Sequence, residues 1–129
     1  MSRFAIENVS SIKAKEVVDQ LIIDDEKVLE IFENELNGTT YKTELNSILL
    51  FVEHVANGGS VGRKCKILKG NKDGVMEYEF ISKHLRLYAI QQTGKKIIIF
   101  GGTKKKADSS DNIALFRTIK KDFLNSLKK

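Results

Sequence analysis

The sequence predicts a single α+β domain in which N-terminal helices precede a small antiparallel β-meander and a C-terminal helix. Apolar residues recur at helical spacing in the first half. After Gly62 they gather in short runs separated by polar turns, and near the C-terminus they return to helical spacing. With 129 residues, 41% of them hydrophobic, the chain suits one core and is short for two. We therefore expect residues 1–129 to form one domain.

The first half is predicted to be helical. Three apolar stripes follow candidate capping residues at Ser10, Asp24 and Thr39. The stripes are Ala14, Val17, Val18, Leu21 and Ile22; then Val28, Ile31, Phe32 and Leu36; then Leu45, Ile48, Leu49, Val52, Val55 and Ala56. The first two stripes fit either two helices or one bent helix, and residues 3–9 are a candidate edge strand.

The second half is predicted to be a meander followed by a helix. The strand candidates are residues 64–69, 75–81, 85–90 and 96–100. Polar, glycine-containing segments separate them, including a hairpin turn at residues 92–95. Residues 108–111 offer caps for the last helix. The apolar face of that helix is Phe116, Ile119, Phe123 and Leu127.

The net charge of +5 hides a division along the chain. Residues 1–60 carry 5 basic and 11 acidic side chains, whereas residues 61–129 carry 17 basic and 6 acidic ones. This asymmetry predicts a basic working surface in the second half, for which nucleic acid or an acidic protein is the usual partner. The alternative is that solvated lysines fell in one half by chance.

The strand at residues 85–90 carries the most informative pattern. Alternation places His84, Arg86 and Tyr88 on one face. Arginine can clasp phosphate oxygens, histidine can move a proton near neutral pH, and tyrosine can stack on a base or donate a proton. We therefore take the three as candidate catalytic residues acting on a phosphodiester. The alternative is the solvated face of an ordinary half-buried sheet.

Two basic clusters are candidates for binding RNA phosphates beside that face. The clusters are Arg63, Lys64 and Lys66, and Lys104, Lys105 and Lys106. Two glycines precede the second cluster and would let an anion approach the backbone. The alternative is that these lysines are ordinary solvated turn residues.

Other chemistries and compartments are disfavoured. His54 and His84 fall on different predicted elements without matching ligands, and Cys65 is the single cysteine. We expect no metal, no cofactor and no internal disulfide. No apolar run is long enough to cross a bilayer, and no signal-peptide pattern opens the chain. We expect a cytoplasmic protein without a membrane partner.

Three segments follow one another in the second half: Glu77–Ile81, residues 85–88 with an Arg and a Tyr, and residues 97–105, which end in Gly-Gly-Thr-Lys-Lys. In this order they resemble the RelE/ParE toxin superfamily, nearest to its HigB-like branch. The resemblance covers residues 40–125, as a RelE/ParE-like core. It leaves residues 1–38 as an acidic helical extension.

The resemblance implies the toxin of a bacterial type II toxin–antitoxin system that acts in stress responses. Such toxins are metal-independent, ribosome-associated mRNA endoribonucleases, with a cognate antitoxin, mRNA and the ribosome as partners. By position, Arg86 would stabilise the phosphate, and Lys104 and Lys105 would bind the RNA backbone. Ile81 (or Phe80) stands where the family often has a catalytic arginine. The alternatives are therefore a catalytically degenerate nucleic-acid- or protein-binding module and a ParE-like DNA gyrase inhibitor.

Overall fold

A computed structural model describes residues 3–104 and 110–128, which form one mixed sheet with helices on both faces. The strands are β1 Phe4–Asn8, β2 Val17–Ile23, β3 Glu26–Lys27, β4 Cys65–Ile67, β5 Glu77–Ile81, β6 Leu85–Gln92 and β7 Lys96–Lys104. The helices are α1 Val28–Leu36, α2 Tyr41–Ala56 and α3 Ser110–Ser126, with a 3₁₀ helix at Gly62–Lys64. The chain is α+β, but strands come first.

The predicted N-terminal helices are therefore wrong for the first stripe, which forms β2. Val18 packs on one face of the sheet and Leu21 on the other, so β2 is buried on both sides. Asp19 and Gln20, both buried, interrupt the apolar residues of β2 and leave them at a spacing that also fits a helix, so periodicity alone does not distinguish the two. Asp24 and Asp25 do not cap a helix. Both have positive φ, 50° and 68°, and they form the tight turn to β3.

The predicted acidic helical extension at residues 1–38 is also wrong. It holds β1, β2 and β3, and its only helix among the described residues is α1. The expected edge strand at residues 3–9 is present as β1, which pairs antiparallel with β2.

The sheet is larger than the predicted antiparallel meander. Its strand order is β1-β2-β7-β6-β5-β4, and β3 pairs with β2 at the side. β4 to β7 pair antiparallel in succession, whereas β2 runs parallel to β7. The N-terminal hairpin therefore completes the sheet through a long-range pairing that local sequence patterns do not encode.

Two apolar layers hold the helices against the sheet. We call the side covered by α1 and α2 the α2 face and the side covered by α3 the α3 face. The α2 face buries Phe32, Leu45, Ile48, Val52, Phe80, Leu85 and Leu87, and the α3 face buries Leu21, Tyr88, Ile90, Ile98, Phe100, Phe116 and Phe123. A Cβ at Gly102 would overlap the Phe32 ring, so α1 packs directly on the backbone of β7.

A buried ion cluster fastens α3 to β5. Lys120 and Glu77 are each 1% exposed, and Lys120 Nζ lies 2.9 Å from Glu77 Oε2. The same Nζ donates to Asp73 Oδ1 and to the Val75 carbonyl, each at 2.7 Å. Arg117 Nη2 lies 2.9 Å from the second Glu77 oxygen. The two buried charges, Lys120 and Glu77, are thus paired with each other and with the partly exposed Asp73 and Arg117.

Within the described ranges, no helix is both long and apolar enough to cross a membrane.

Candidate functional site

One end of the sheet gathers basic side chains. Because β4 to β7 are antiparallel, the start of β4 and β6 and the end of β5 and β7 meet there. We define the cationic end as Arg63, Lys64, Lys83, Arg86 and Lys104. Lys66 lies slightly further along β4, opposite Glu79, and Lys105 and Lys106 lie outside the described residues.

A turn at residues 82–85 forms the centre of the cationic end. The Ser82 N–H donates to the Leu85 carbonyl at 3.1 Å. From α2, one oxygen of Glu44 accepts hydrogen bonds from the Ser82 hydroxyl and the His84 backbone N–H. Its other oxygen lies 3.0 Å from His84 Nδ1. A single carboxylate therefore fixes both the turn and the imidazole ring.

The electrostatics of Glu44 determine which histidine nitrogen stays available. Burial alone would raise the pKa of Glu44, but hydrogen bonds from Ser82 and from the backbone and ring of His84 lower this pKa to about 2. The ionised carboxylate favours a proton on His84 Nδ1. Within the described residues His84 Nε2 makes no hydrogen bond, and the side chain is 47% exposed. Nε2 is thus free to exchange a proton with a ligand.

Tyr41, at the start of α2, contacts both His84 and Lys104. Its ring centroid lies 5.2 Å from that of His84, and Lys104 Nζ lies 5.0 Å from the centroid of the Tyr41 ring. A cation held over an aromatic face in this way is attracted by the ring. Tyr41, Glu44, His84 and Lys104 therefore form one cluster, which we call the His84 cluster, on the α2 face of the cationic end.

Arg86 supports the turn and keeps unused donors. Its Nη1 donates to the carbonyls of Ser82 and Leu85 at 2.5 and 2.8 Å. Its Nε and Nη2 have no partner among the described residues. Because Leu85 and Leu87 face α2, alternation directs Arg86 toward the α3 face. The guanidinium can hold an anion beside the turn.

The structure corrects the prediction that His84, Arg86 and Tyr88 share one face. Residues 82–84 lie in a turn before β6 begins, so His84 bends onto α2 while Arg86 and Tyr88 face α3. Tyr88 is 5% exposed and stacks on Phe116 with ring centroids 5.3 Å apart. Burial and the Glu79 carboxylate, which accepts the hydroxyl hydrogen bond, raise the pKa of Tyr88. Tyr88 therefore belongs to the packed α3 face.

The first basic cluster occupies the edge of the sheet. Arg63, Lys64 and Lys66 are exposed, and Lys64 Nζ lies 5.8 Å from the Phe51 ring centroid. Helical rise places Phe51 about 15 Å along α2 from Tyr41. Two lysines thus lie over rings at separate points of one helix, too far apart for neighbouring phosphates but suitable for contacting two separated phosphates of one strand.

The described part of the chain contains neither a group of metal-ligating side chains nor an activated thiol. No three His, Cys, Asp or Glu side chains there are grouped so that they could hold a metal ion. Burial raises the pKa of Cys65 to about 11, so its thiol is protonated at neutral pH and is a poor nucleophile.

Glu44 and Tyr41 were missed by sequence analysis. Their spacing of three residues places them on one side of a helix. Nothing in the sequence, however, indicates that this side meets a turn forty positions away.

Comparison with models of known protein families, with curated proteins and with solved structures finds no match.

Replacing Glu44 by Gln should remove a pH-dependent contribution to stability. The carboxylate titrates at about 2 in the folded chain and at 4.5 without these contacts. Its stabilisation is thus complete above about pH 5 and is lost as the pH falls toward 2. We expect Glu44→Gln to lower the free energy of unfolding by roughly 2 kcal/mol at pH 7, with the difference from wild type vanishing near pH 2. Urea unfolding across this range measures it.

Glu53→Gln provides the matched control, because Glu53 lies on the same helix and its side chain makes no hydrogen bond or ion pair among the described residues. We expect its free energy of unfolding to stay within about 0.5 kcal/mol of wild type. Equal losses in the two variants would contradict the assigned role of Glu44.

Proposed function

We propose that the protein is an endoribonuclease that cleaves RNA without a metal at the cationic end, as the toxin of a bacterial type II toxin–antitoxin pair. The observation that carries the proposal is the His84 cluster, in which Glu44 orients an exposed imidazole and the Tyr41 ring contacts both that imidazole and the ammonium of Lys104. A positioned proton acceptor and a fixed cation are the two groups that RNA transesterification needs.

His84 would act as the general base. Nε2 takes the proton of the ribose 2′-hydroxyl while Glu44 stabilises the resulting imidazolium. The 2′-oxygen then forms a bond to phosphorus, and the bond from phosphorus to the 5′-oxygen breaks. The leaving 5′-oxygen takes a proton from water, and the His84 imidazolium then gives its proton to the hydroxide left behind, which restores the free base. The products are a 2′,3′-cyclic phosphate and a 5′-hydroxyl end, and no oxidant, metal or cofactor takes part.

Lys104 and Arg86 would stabilise the charge that develops on the phosphate oxygens. Lys104 approaches from the α2 side of the turn through its contact with Tyr41, and Arg86 offers the free Nε and Nη2 donors from the α3 side. Charge-assisted hydrogen bonds from such groups strengthen as the phosphorane forms. Arg63, Lys64 and Lys66 would hold neighbouring phosphates along the edge of the sheet.

The toxin assignment is supported by the resemblance of the second half of the chain to RelE/ParE toxins. The position where that family often has an arginine holds Ile81, which pairs with Arg86 across β5 and β6. We propose that His84 carries out the proton transfer and that Arg86 supplies the guanidinium group at the cationic end. A toxin of this class acts in the cytoplasm on ribosome-bound mRNA, and a cognate antitoxin restrains it.

A second candidate is a non-catalytic RNA-binding module. It is favoured by Tyr88, whose hydroxyl is buried and bonded to Glu79 and so is not available to a substrate. This candidate predicts RNA affinity that weakens steeply with salt through the basic second half, with no cleavage products.

Expression in bacteria and cleavage in a translating extract test the proposal together. We expect induction to arrest growth, and we expect messages in the extract to be cut to fragments with 2′,3′-cyclic phosphate ends. A supercoiling assay with DNA gyrase should show no inhibition. Intact messages beside an active control toxin would overturn the nuclease proposal, and intact messages with salt-sensitive RNA binding would favour the second candidate.

A further inference from the structure

β4 is an edge strand with unpaired backbone groups. It lies at one end of the sheet and pairs with β5. Just after β4, the Leu68 N–H donates to the Glu77 carbonyl at 3.0 Å. In an antiparallel pair every second residue directs its backbone groups at the partner strand, so those of Cys65 and Ile67 point away from β5. The Cys65 N–H donates to the Gly62 carbonyl. Among the described residues this leaves the Ile67 N–H and the carbonyls of Cys65 and Ile67 without a partner.

An apolar pocket opens beside this edge on the α2 face. Its volume is about 370 Å³, and the loop at residues 58–62 and the neighbouring parts of β4 and β5 line it. Ile67 and Met76 line the pocket and are 55% and 41% exposed, and Val55 and Tyr78 line it as well. Exposed apolar side chains gathered at one place, rather than scattered singly, are typical of an interaction site.

The α3 face of the same edge carries positive charge. Cys65 packs against the core of the α2 face, so alternation along β4 places the Lys66 side chain on the α3 face. Lys66 is exposed, as are the neighbouring Arg63, Lys64 and Lys69. None of these four side chains makes an ion pair within the part of the chain that the structure describes. A strand added to β4 would therefore meet an apolar pocket on one face and a cation on the other.

We propose that β4 binds an extended segment of a protein partner in which apolar and acidic residues alternate. The backbone of the segment pairs with Cys65 and Ile67 and adds a strand to the sheet, as peptides do at many sheet edges. Because side chains alternate along a strand, the apolar residues of the segment enter the pocket and its acidic residues lie beside Lys66.

Two other occupants fit this edge less well. Pairing the β4 strands of two copies of this chain would bring like charges together, which is unfavourable. RNA offers phosphates to the lysines, but it has no peptide backbone to pair with Ile67. The inference stands without the proposed cleavage, since no member of the His84 cluster takes part in it.

NMR of the ¹⁵N-labelled full chain tests this surface with a synthetic peptide. The probe is an acetylated and amidated hexapeptide in which Glu and Val alternate. We expect the peptide to shift the backbone amide resonances of Lys66, Ile67 and Met76. At saturation it should slow hydrogen exchange of the Ile67 amide at least about tenfold, because that N–H becomes hydrogen-bonded.

Two hexapeptides serve as controls. Replacing Glu by Lys keeps the alternation and reverses the charge, and the order Glu-Glu-Glu-Val-Val-Val keeps the composition and removes the alternation. We expect both to bind at least about tenfold more weakly. Equal binding of either control, or unchanged Ile67 exchange with the alternating Glu peptide, would overturn the proposal. Single-stranded oligouridylate that slows Ile67 exchange as much as the peptide does would also overturn it.

A charge exchange tests the contact with Lys66. Lys66→Glu should weaken binding of the Glu peptide about fivefold and strengthen binding of the Lys peptide, because the paired charges are then reversed. Lys13→Glu makes the same change at an exposed lysine between β1 and β2 and should leave both affinities unaltered. Equal effects of the two substitutions, or no change of preference in Lys66→Glu, would contradict the proposed position of the acidic residues.

Discussion

Replacing His84 by Gln should slow RNA cleavage by about 10²- to 10⁴-fold, the contribution typical of a general base. Glutamine retains an amide that can donate to Glu44, so the 82–85 turn keeps its carboxylate partner, but the side chain cannot take up a proton. Single-turnover cleavage of a defined message measures the rate. Far-UV circular dichroism and urea unfolding check that the variant is folded.

His54→Gln is the matched control, because it makes the same substitution at the other histidine of the chain. His54 is exposed on α2, and its side chain makes no hydrogen bond or ion pair within the described residues. We expect its cleavage rate and its arrest of growth to match wild type. Wild-type rates in His84→Gln, or equal losses in both variants, would contradict the role given to His84.

Replacing Lys120 by Met should give the largest loss of stability, about 3–5 kcal/mol. The substitution removes the ammonium that bonds Glu77, Asp73 and the Val75 carbonyl. Glu77, which is 1% exposed, then keeps only Arg117 as a partner. Arg117 alone then compensates a buried carboxylate that two cations hold in the wild type, and this costs far more than the loss of a surface ion pair. The midpoint of urea unfolding reports the change.

Lys121→Met removes an exposed lysine next to it in sequence, and its free energy of unfolding should change by no more than about 0.5 kcal/mol. Adding Glu77→Gln to Lys120→Met should recover part of the loss, because it neutralises the stranded carboxylate. A loss below about 1 kcal/mol in Lys120→Met would show that the cluster contributes little to holding α3 on the sheet.

Elements with strong local signals were predictable from the sequence. The apolar stripe from Leu45 to Ala56 predicted α2, and the apolar face of the last helix predicted α3. The glycine-containing turn between β6 and β7 was also predicted, and β7 extends beyond its predicted end to Lys104. Each of these elements is specified by residues that are close together in the chain.

The predictions that were wrong concern features that depend on contacts between residues distant in the sequence. β2 is a strand because it fills the sheet beside β7, and in isolation the spacing of its apolar residues also fits a helix. His84 was a candidate from its neighbours, but its orientation is set by Glu44 on α2. Tyr88 was expected to be exposed, and instead α3 covers it through Phe116. Arg63, Lys64 and Lys104 lie near the start of β6 because antiparallel neighbours bring their ends together.

The most direct test of the proposed mechanism is cleavage of a message carrying a single 2′-deoxynucleotide at the position that wild-type protein cuts. Without the 2′-hydroxyl, His84 has no proton to remove and no 2′-oxygen can attack the phosphate. We predict that cleavage is abolished at that position, while the unmodified message yields a 2′,3′-cyclic phosphate and a 5′-hydroxyl end. Equal cleavage of the two messages, or fragments with 5′-phosphate ends, would contradict the mechanism.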